Sequence, residues 1–211
     1  MRIEYVFTIL FLALGPLGVI PVFYEYTDKT DLAYRVRVAI FATLISAAVV
    51  AVAAISGART IQSWHVSRAA LDIAIGILLL RSTFSSISKL ETVMRSTTKP
   101  AEAARTEQIA PAALAYSPIA VPTIVSATGI VTIVLFLSLA QNDPMLRNQI
   151  YGVIIFLLAL NFVGMLSAGF IVRFVRMSTL AIVGWIFAAL QAALAVEVIL
   201  SGLRLAGFAP H

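Results

Sequence analysis

The sequence predicts an all-α polytopic membrane protein of six transmembrane helices, arranged as two inverted three-helix repeats whose first and fourth helices are broken. Three observations carry that expectation: an extreme apolar composition, uncharged runs long enough to cross a bilayer, and matched proline motifs in the two halves. Of 211 residues, 61% are hydrophobic and 12% charged, and the mean hydropathy is +0.99, whereas a soluble domain carries about 25% charged residues. The lipid bilayer is therefore the first expected partner. Cysteine is absent, which excludes disulfides, thiol redox chemistry and thiolate-bound metal. His65 falls in a short loop and His211 at the last position, so no paired-histidine metal site is expected. The net charge of +5 lies between apolar runs rather than along one stripe, so no nucleic acid partner is expected.

The spans follow from the uncharged runs, each needing about 20 apolar residues. Tyr5 to Tyr24 and Val38 to Gly57 are the first two, and Ala69 to Ser88 is the third, with Asp72 and Arg81 toward its ends. The polar stretch KLETVMRSTTKPAEAARTE comes next. Gln108 to Asn142 then holds 35 uncharged residues; as one straight helix these would reach about 52 Å, too long for an ordinary span. The fifth and sixth spans run from Ile150 to Val172 and from Met177 to Leu205, the last interrupted by Glu197 and Arg204. This divides the chain into a first three-helix repeat over 1–90, a polar linker over 91–107 and a second repeat over 108–211. Arg2 is followed at once by Glu4 and no small-residue cleavage site stands out, so the first run is expected to be retained as a span.

Lysine and arginine set orientation, because they are held on the cytoplasmic side during insertion. Six spans place five of them on one side (Arg2, Arg59, Arg68, Arg147 and Arg204) and ten on the other, five of those in or beside the third loop. The linker is thus expected in the cytoplasm and both termini outside it.

Three spans per half is an odd number, so if the halves are repeats they enter the membrane from opposite sides. In the first span Gly15, Pro16, Leu17 and Gly18 precede Pro21; in the fourth, Ser117, Pro118, Ile119 and Ala120 precede Pro122. Glycine and proline both weaken a helix. In hydrocarbon a break is tolerated only where protein, water or a ligand satisfies the freed backbone groups. Two adjacent breaks would offer amides to a carboxylate and carbonyls to an ammonium or a coupling cation. The expected substrate-binding residues are Gly15, Pro16, Gly18, Pro21, Pro118, Ala120, Pro122, Thr123, Ser126, Thr128 and Asn161, with Thr132, Thr43 and Ser46 as further hydroxyls. Prolines and glycines that mark only kinks or close packing are the alternative, and Asn161 could equally bond a neighbouring helix. Gly164 and Ala168 form a small pair that lets a helix approach. Asp72 and Glu197 are candidates for coupling to Na+ or H+, because ionisable groups within spans are costly. No catalytic set, metal cluster or cofactor fingerprint is present, so neither an enzyme nor a resident cofactor is expected.

These motifs resemble the MarC family of bacterial and archaeal inner-membrane proteins, which includes neutral amino acid transporters of the SnatA type. The family's first motif, Asn-Pro-aliphatic-Gly-x-x-Pro-x-Phe, is similar to Gly15, Pro16, Leu17, Gly18, Pro21 and Phe23, with glycine in place of the leading asparagine. Its second motif, Pro-Leu-Ala-x-Pro followed by Gly-Pro-Gly, resembles Pro118, Ile119, Ala120 and Pro122, with Ser126, Ala127 and Thr128 standing for Gly-Pro-Gly. Ile73, Ala74, Ile75 and Gly76 resemble an Ile-Ala-Gly-Gly element of the third span more weakly. The resemblance implies a six-span inverted-repeat protein of a bacterial inner membrane, its two motif-bearing helices unwound around a small neutral amino acid such as glycine or alanine; with the loop charges, both termini are expected on the periplasmic side. The functional expectation is a secondary transporter working by alternating access. A non-transporting scaffold or sensor module, a small-ion channel or exporter, and assembly into a homo-oligomer stay open.

Overall fold

The computed structural model describes residues 3–28, 30–57, 63, 66–96, 124–140, 143–175 and 177–208. All regular structure among them is helical. In chain order the helices are α1 (Ile3–Leu14), α2 (Pro16–Thr27), α3 (Leu32–Val52), α4 (Arg68–Ser96), α5 (Ala127–Leu139), α6 (Pro144–Phe174) and α7 (Met177–Leu205); a π-helical turn, Ala53–Gly57, extends α3. Five runs are long and apolar enough to cross a membrane: Ile3–Thr27, Leu32–Gly57, Arg68–Ser88, Pro144–Phe174 and Ile182–Leu205. The apolar α5 is shorter, and the part of the fourth span before Ile124 lies outside the described residues.

Helices α1 and α6 each bury one stripe although both their faces are apolar, whereas α5 is buried all round over residues 132–137. In α1 the buried set is Val6, Ile9, Leu10, Ala13 and Leu14, and in α6 it is Ile150, Ile154, Leu157, Asn161, Met165 and Ala168. Steps of three and four residues keep such a set on one side of a helix. The other sides stay apolar and exposed, as at Phe170 and Phe174 of α6 and Leu44 of α3. Lipid tails are as apolar as leucine, so helix association here relies on close packing.

Packing is closest between α4 and α7. A Cβ added at Gly76 of α4 would lie 2.7 Å from the Ala195 carbonyl oxygen and against Ile199; one added at Gly202 of α7 would lie 2.9 Å from the Ala69 carbonyl oxygen and against Ile73. The three positions of each set differ by 126 in number. The contact is therefore reciprocal, an antiparallel crossing with local two-fold character between the last helices of the two halves.

Several boundaries differ from the uncharged runs. The fifth span begins at Pro144 because Asp143 caps it, its Oδ1 accepting from the Leu146 amide at 3.0 Å. The second span begins at Leu32 and so takes in Arg35 and Arg37. Helix α4 continues to Ser96, through the start of the expected linker, since LETVMRS holds neither glycine nor proline. Arg81, counted with the third loop, is an exposed residue of α4.

Candidate functional site

Gly15 separates α1 from α2 with φ 52° and ψ 51°, the left-handed region. Pro16 follows as the first residue of α2, where its missing N–H is one that a helix start leaves unpaired anyway. The interruption is narrower than the sequence suggests. The Gly15 amide still donates to the Phe11 carbonyl at 3.2 Å, and its carbonyl accepts from the Gly18 amide at 2.9 Å. Beyond their own chain neighbours and helix backbone, no described residue lies within 4 Å of a Cβ added at Gly15 or Gly18, so neither is covered by the described part of the protein. Pro21 sits inside α2.

Ser126 ties the second half to this point. It is the N-cap of α5, accepting from the Gly129 amide at 3.0 Å, and its hydroxyl donates to the Ala13 carbonyl at 3.0 Å. Part of the backbone polarity beside Gly15 is therefore met by protein. Gly129 makes room for this, since a Cβ there would lie 3.1 Å from Leu14 Cδ2 and 3.4 Å from the Ala13 oxygen. Two residues after Ser126, buried Thr128 donates to the Leu78 carbonyl of α4 at 3.1 Å. Of the proposed residues, Pro118, Ala120, Pro122 and Thr123 lie outside the described residues.

Hydroxyls inside helices have a local default, donation to the carbonyl four residues back. Thr8, Thr27, Thr43, Ser56 and Thr83 all take it, with bonds of 2.6–2.9 Å. Ser46 and Thr132 do not, and both are fully buried with unpaired oxygens. Asn161, 1% exposed, donates through Nδ2 to the Leu157 carbonyl of its own helix at 2.9 Å, while its Oδ1 is unpaired. Gln191 of α7 is buried with Nε2 unpaired. The sequence reading passed over Gln191, although a lone amide in an apolar helix is the signal that marked Asn161.

Depth relates these groups. The midpoints of Ile3–Thr27, Leu32–Gly57, Pro144–Phe174 and Ile182–Leu205 fall at residues 15, 44.5, 159 and 193.5. Gly15, Ser46, Asn161 and Gln191 each lie within three residues of them, hence within about 5 Å of mid-span. An unpaired buried polar atom costs on the order of 1–3 kcal/mol, so three of them at mid-span are a substantial concession of stability.

The two candidate coupling residues separate clearly. Glu197 is half exposed and pairs with Arg204 at 3.4 Å. Asp72 is 8% exposed and makes neither a hydrogen bond nor an ion pair with any described residue. A cavity of about 430 Å³ lies elsewhere, between α1 and α7, lined by Phe11, Leu12, Phe187, Leu190 and Leu194. Its one polar neighbour, Thr8, already spends its hydroxyl on the Glu4 carbonyl, so this cavity offers nothing to a polar solute.

Comparison with known proteins places these features in a family context. The model of a family described as "MarC family integral membrane protein" matches residues 2–206. A curated relative described as a "UPF0056 membrane protein", from Archaeoglobus fulgidus, is 26% identical over 198 residues, covering 93% of this chain and 90% of the relative. No solved structure matches.

Proposed function

Because the chain belongs to the MarC family of integral membrane proteins, we propose that it is a secondary transporter of a small neutral solute, an amino acid such as glycine or alanine. The observation that carries this reading is the set of unpaired buried atoms: Ser46 Oγ, Thr132 Oγ1, Asn161 Oδ1 and Gln191 Nε2. Together they offer donors and acceptors without net charge, which suits a solute that is itself neutral or zwitterionic. Gly15 and Gly18 add backbone that the described residues leave uncovered at the same depth. Pairing with a solute would offset the desolvation cost those groups carry in its absence.

Alternating access would move the two halves about this layer as inverted repeats. The reciprocal crossing of α4 and α7 through Gly76 and Gly202 supports such an arrangement, as does the Ser126 bond that joins the start of α5 to the end of α1. The charge bias of the loops supports a cytoplasmic linker and periplasmic termini in a bacterial inner membrane.

Flux in proteoliposomes tests the reading. Labelled glycine or alanine should enter vesicles saturably and be displaced by the unlabelled solute. Absence of flux under every proton or sodium gradient would refute transport, and flux that never saturates would identify a channel.

A further inference from the structure

We propose that Asp72 is the residue at which this protein binds a coupling proton, an assignment that rests on the transporter reading for its use but not for its chemistry. Asp72 lies on α4, four residues into the span Arg68–Ser88, and is 8% exposed. Its sequence neighbours Ala69 and Ile73 are held against Gly202 of α7 by the close crossing described above. Asp72 thus sits beside a close helix crossing rather than on a mobile chain end.

The groups around it are few. Arg68 precedes it by one turn on the same helix and interacts with it electrostatically, without forming an ion pair. From α1, Tyr5 lies within electrostatic reach of Asp72, Arg68 and Glu197. From α7, Glu197 is already engaged by Arg204. Helix α5 carries no titratable residue. A carboxylate closed into such an interior without a partner costs several kcal/mol. A proton on Asp72 removes that cost when this end of the bundle closes, since Arg68 forms no ion pair with it. A hard metal cation needs several oxygen ligands, and among the described residues no group of three His, Cys, Asp or Glu gathers to supply them from side chains of those types. A proton needs only one oxygen.

The chemistry is a simple binding step: one carboxylate oxygen takes a proton from water when this end of the bundle is open, and returns it to water when the group is next hydrated. Tyr5 stands on the helix that runs to Gly15, so the charge on Asp72 acts on the same helix that borders the proposed solute layer.

Two measurements on the full chain in lipid vesicles test the assignment. Infrared difference spectra at neutral pH should contain a protonated carboxyl band that Asp72→Asn removes, Asp72→Glu shifts and Glu197→Gln leaves in place. For glycine flux, the ratio of acid-gradient-driven accumulation to counterflow should fall about tenfold or more in Asp72→Asn and recover in Asp72→Glu. A wild-type protein without the band, or an Asp72→Asn protein that keeps it or keeps the accumulation ratio, overturns the proposal. If the wild type moves no solute, the transporter reading fails while the infrared band still decides whether Asp72 holds a proton.

Discussion

Replacing Gly76 with alanine should destabilise the protein, whereas the same replacement at Gly152 should not. At Gly76 the new Cβ would lie 2.7 Å from the Ala195 carbonyl oxygen, where ordinary contact begins at 3.4 Å, so α4 and α7 must part by about 0.7 Å. The obstacle is backbone and cannot rotate aside. Overpacking costs about 1–3 kcal/mol, while alanine regains up to about 1 kcal/mol over glycine within a helix. The net expectation is a loss of up to about 2 kcal/mol. Gly152 is an exposed residue of α6 with no atom of another described element within 4 Å of an added Cβ, so only the propensity gain operates there. Gly202→Ala requires a separation of about 0.5 Å, which the Gly76 change already provides. The double variant should therefore cost little more than Gly76→Ala alone. Unfolding by SDS from mixed micelles, followed by loss of helical circular dichroism, measures all four variants. The reasoning is refuted if Gly76→Ala and Gly152→Ala shift stability in the same direction, or if the Gly76 and Gly202 costs simply add.

Gly15→Ala should cost about 1–2 kcal/mol, the penalty of a left-handed L-residue, whereas Gly15→Asn should cost clearly less because asparagine visits that region; equal costs in the same unfolding assay would contradict this. Ser126→Ala removes a helix cap and the partner of the Ala13 carbonyl, an expected loss of about 2 kcal/mol. Ser126→Thr should restore most of it, and a silent Ser126→Ala would show that neither bond matters to stability. Ser46→Ala deletes a buried hydroxyl with no partner, so the protein should gain about 1–3 kcal/mol in unfolding while glycine flux falls; a marked destabilisation would mean that the hydroxyl is bonded after all.

The sequence made the spans legible because bilayer thickness demands length and apolarity, and both are visible in a single chain. Span ends were less so. Leu32 to Arg37 belongs to a helix despite two arginines, and the fifth span starts at a cap that a search for uncharged residues overlooks. Gly15 was visible as a helix breaker, but its meaning came from geometry. At φ 52° the position suits glycine or asparagine, the two residues found there in this chain and in the motif of the family it resembles. The departure from that motif therefore preserves backbone conformation. The reciprocal Gly76 and Gly202 contacts were not legible, since they depend on which helices meet.

The harder problem is that in a membrane helix apolar periodicity says little about which side faces protein, because lipid accepts the same side chains as the core. Polar residues carry that information instead, and only when their local alternatives are considered. Thr8 and Ser56 are exposed and bond back to their own helices, so their presence in a span says nothing about a site. Ser46 and Thr132 had the same option, and buried as they are they do not take it. Asp72 and Glu197 divide in the same way: Glu197 satisfies its charge near the end of α7, and Asp72 is buried with no hydrogen bond or ion pair to any described residue. What marks a candidate functional polar residue in this protein is thus an available partner left unused. Sequence can point to the residue type, but only the structure shows the unused bond.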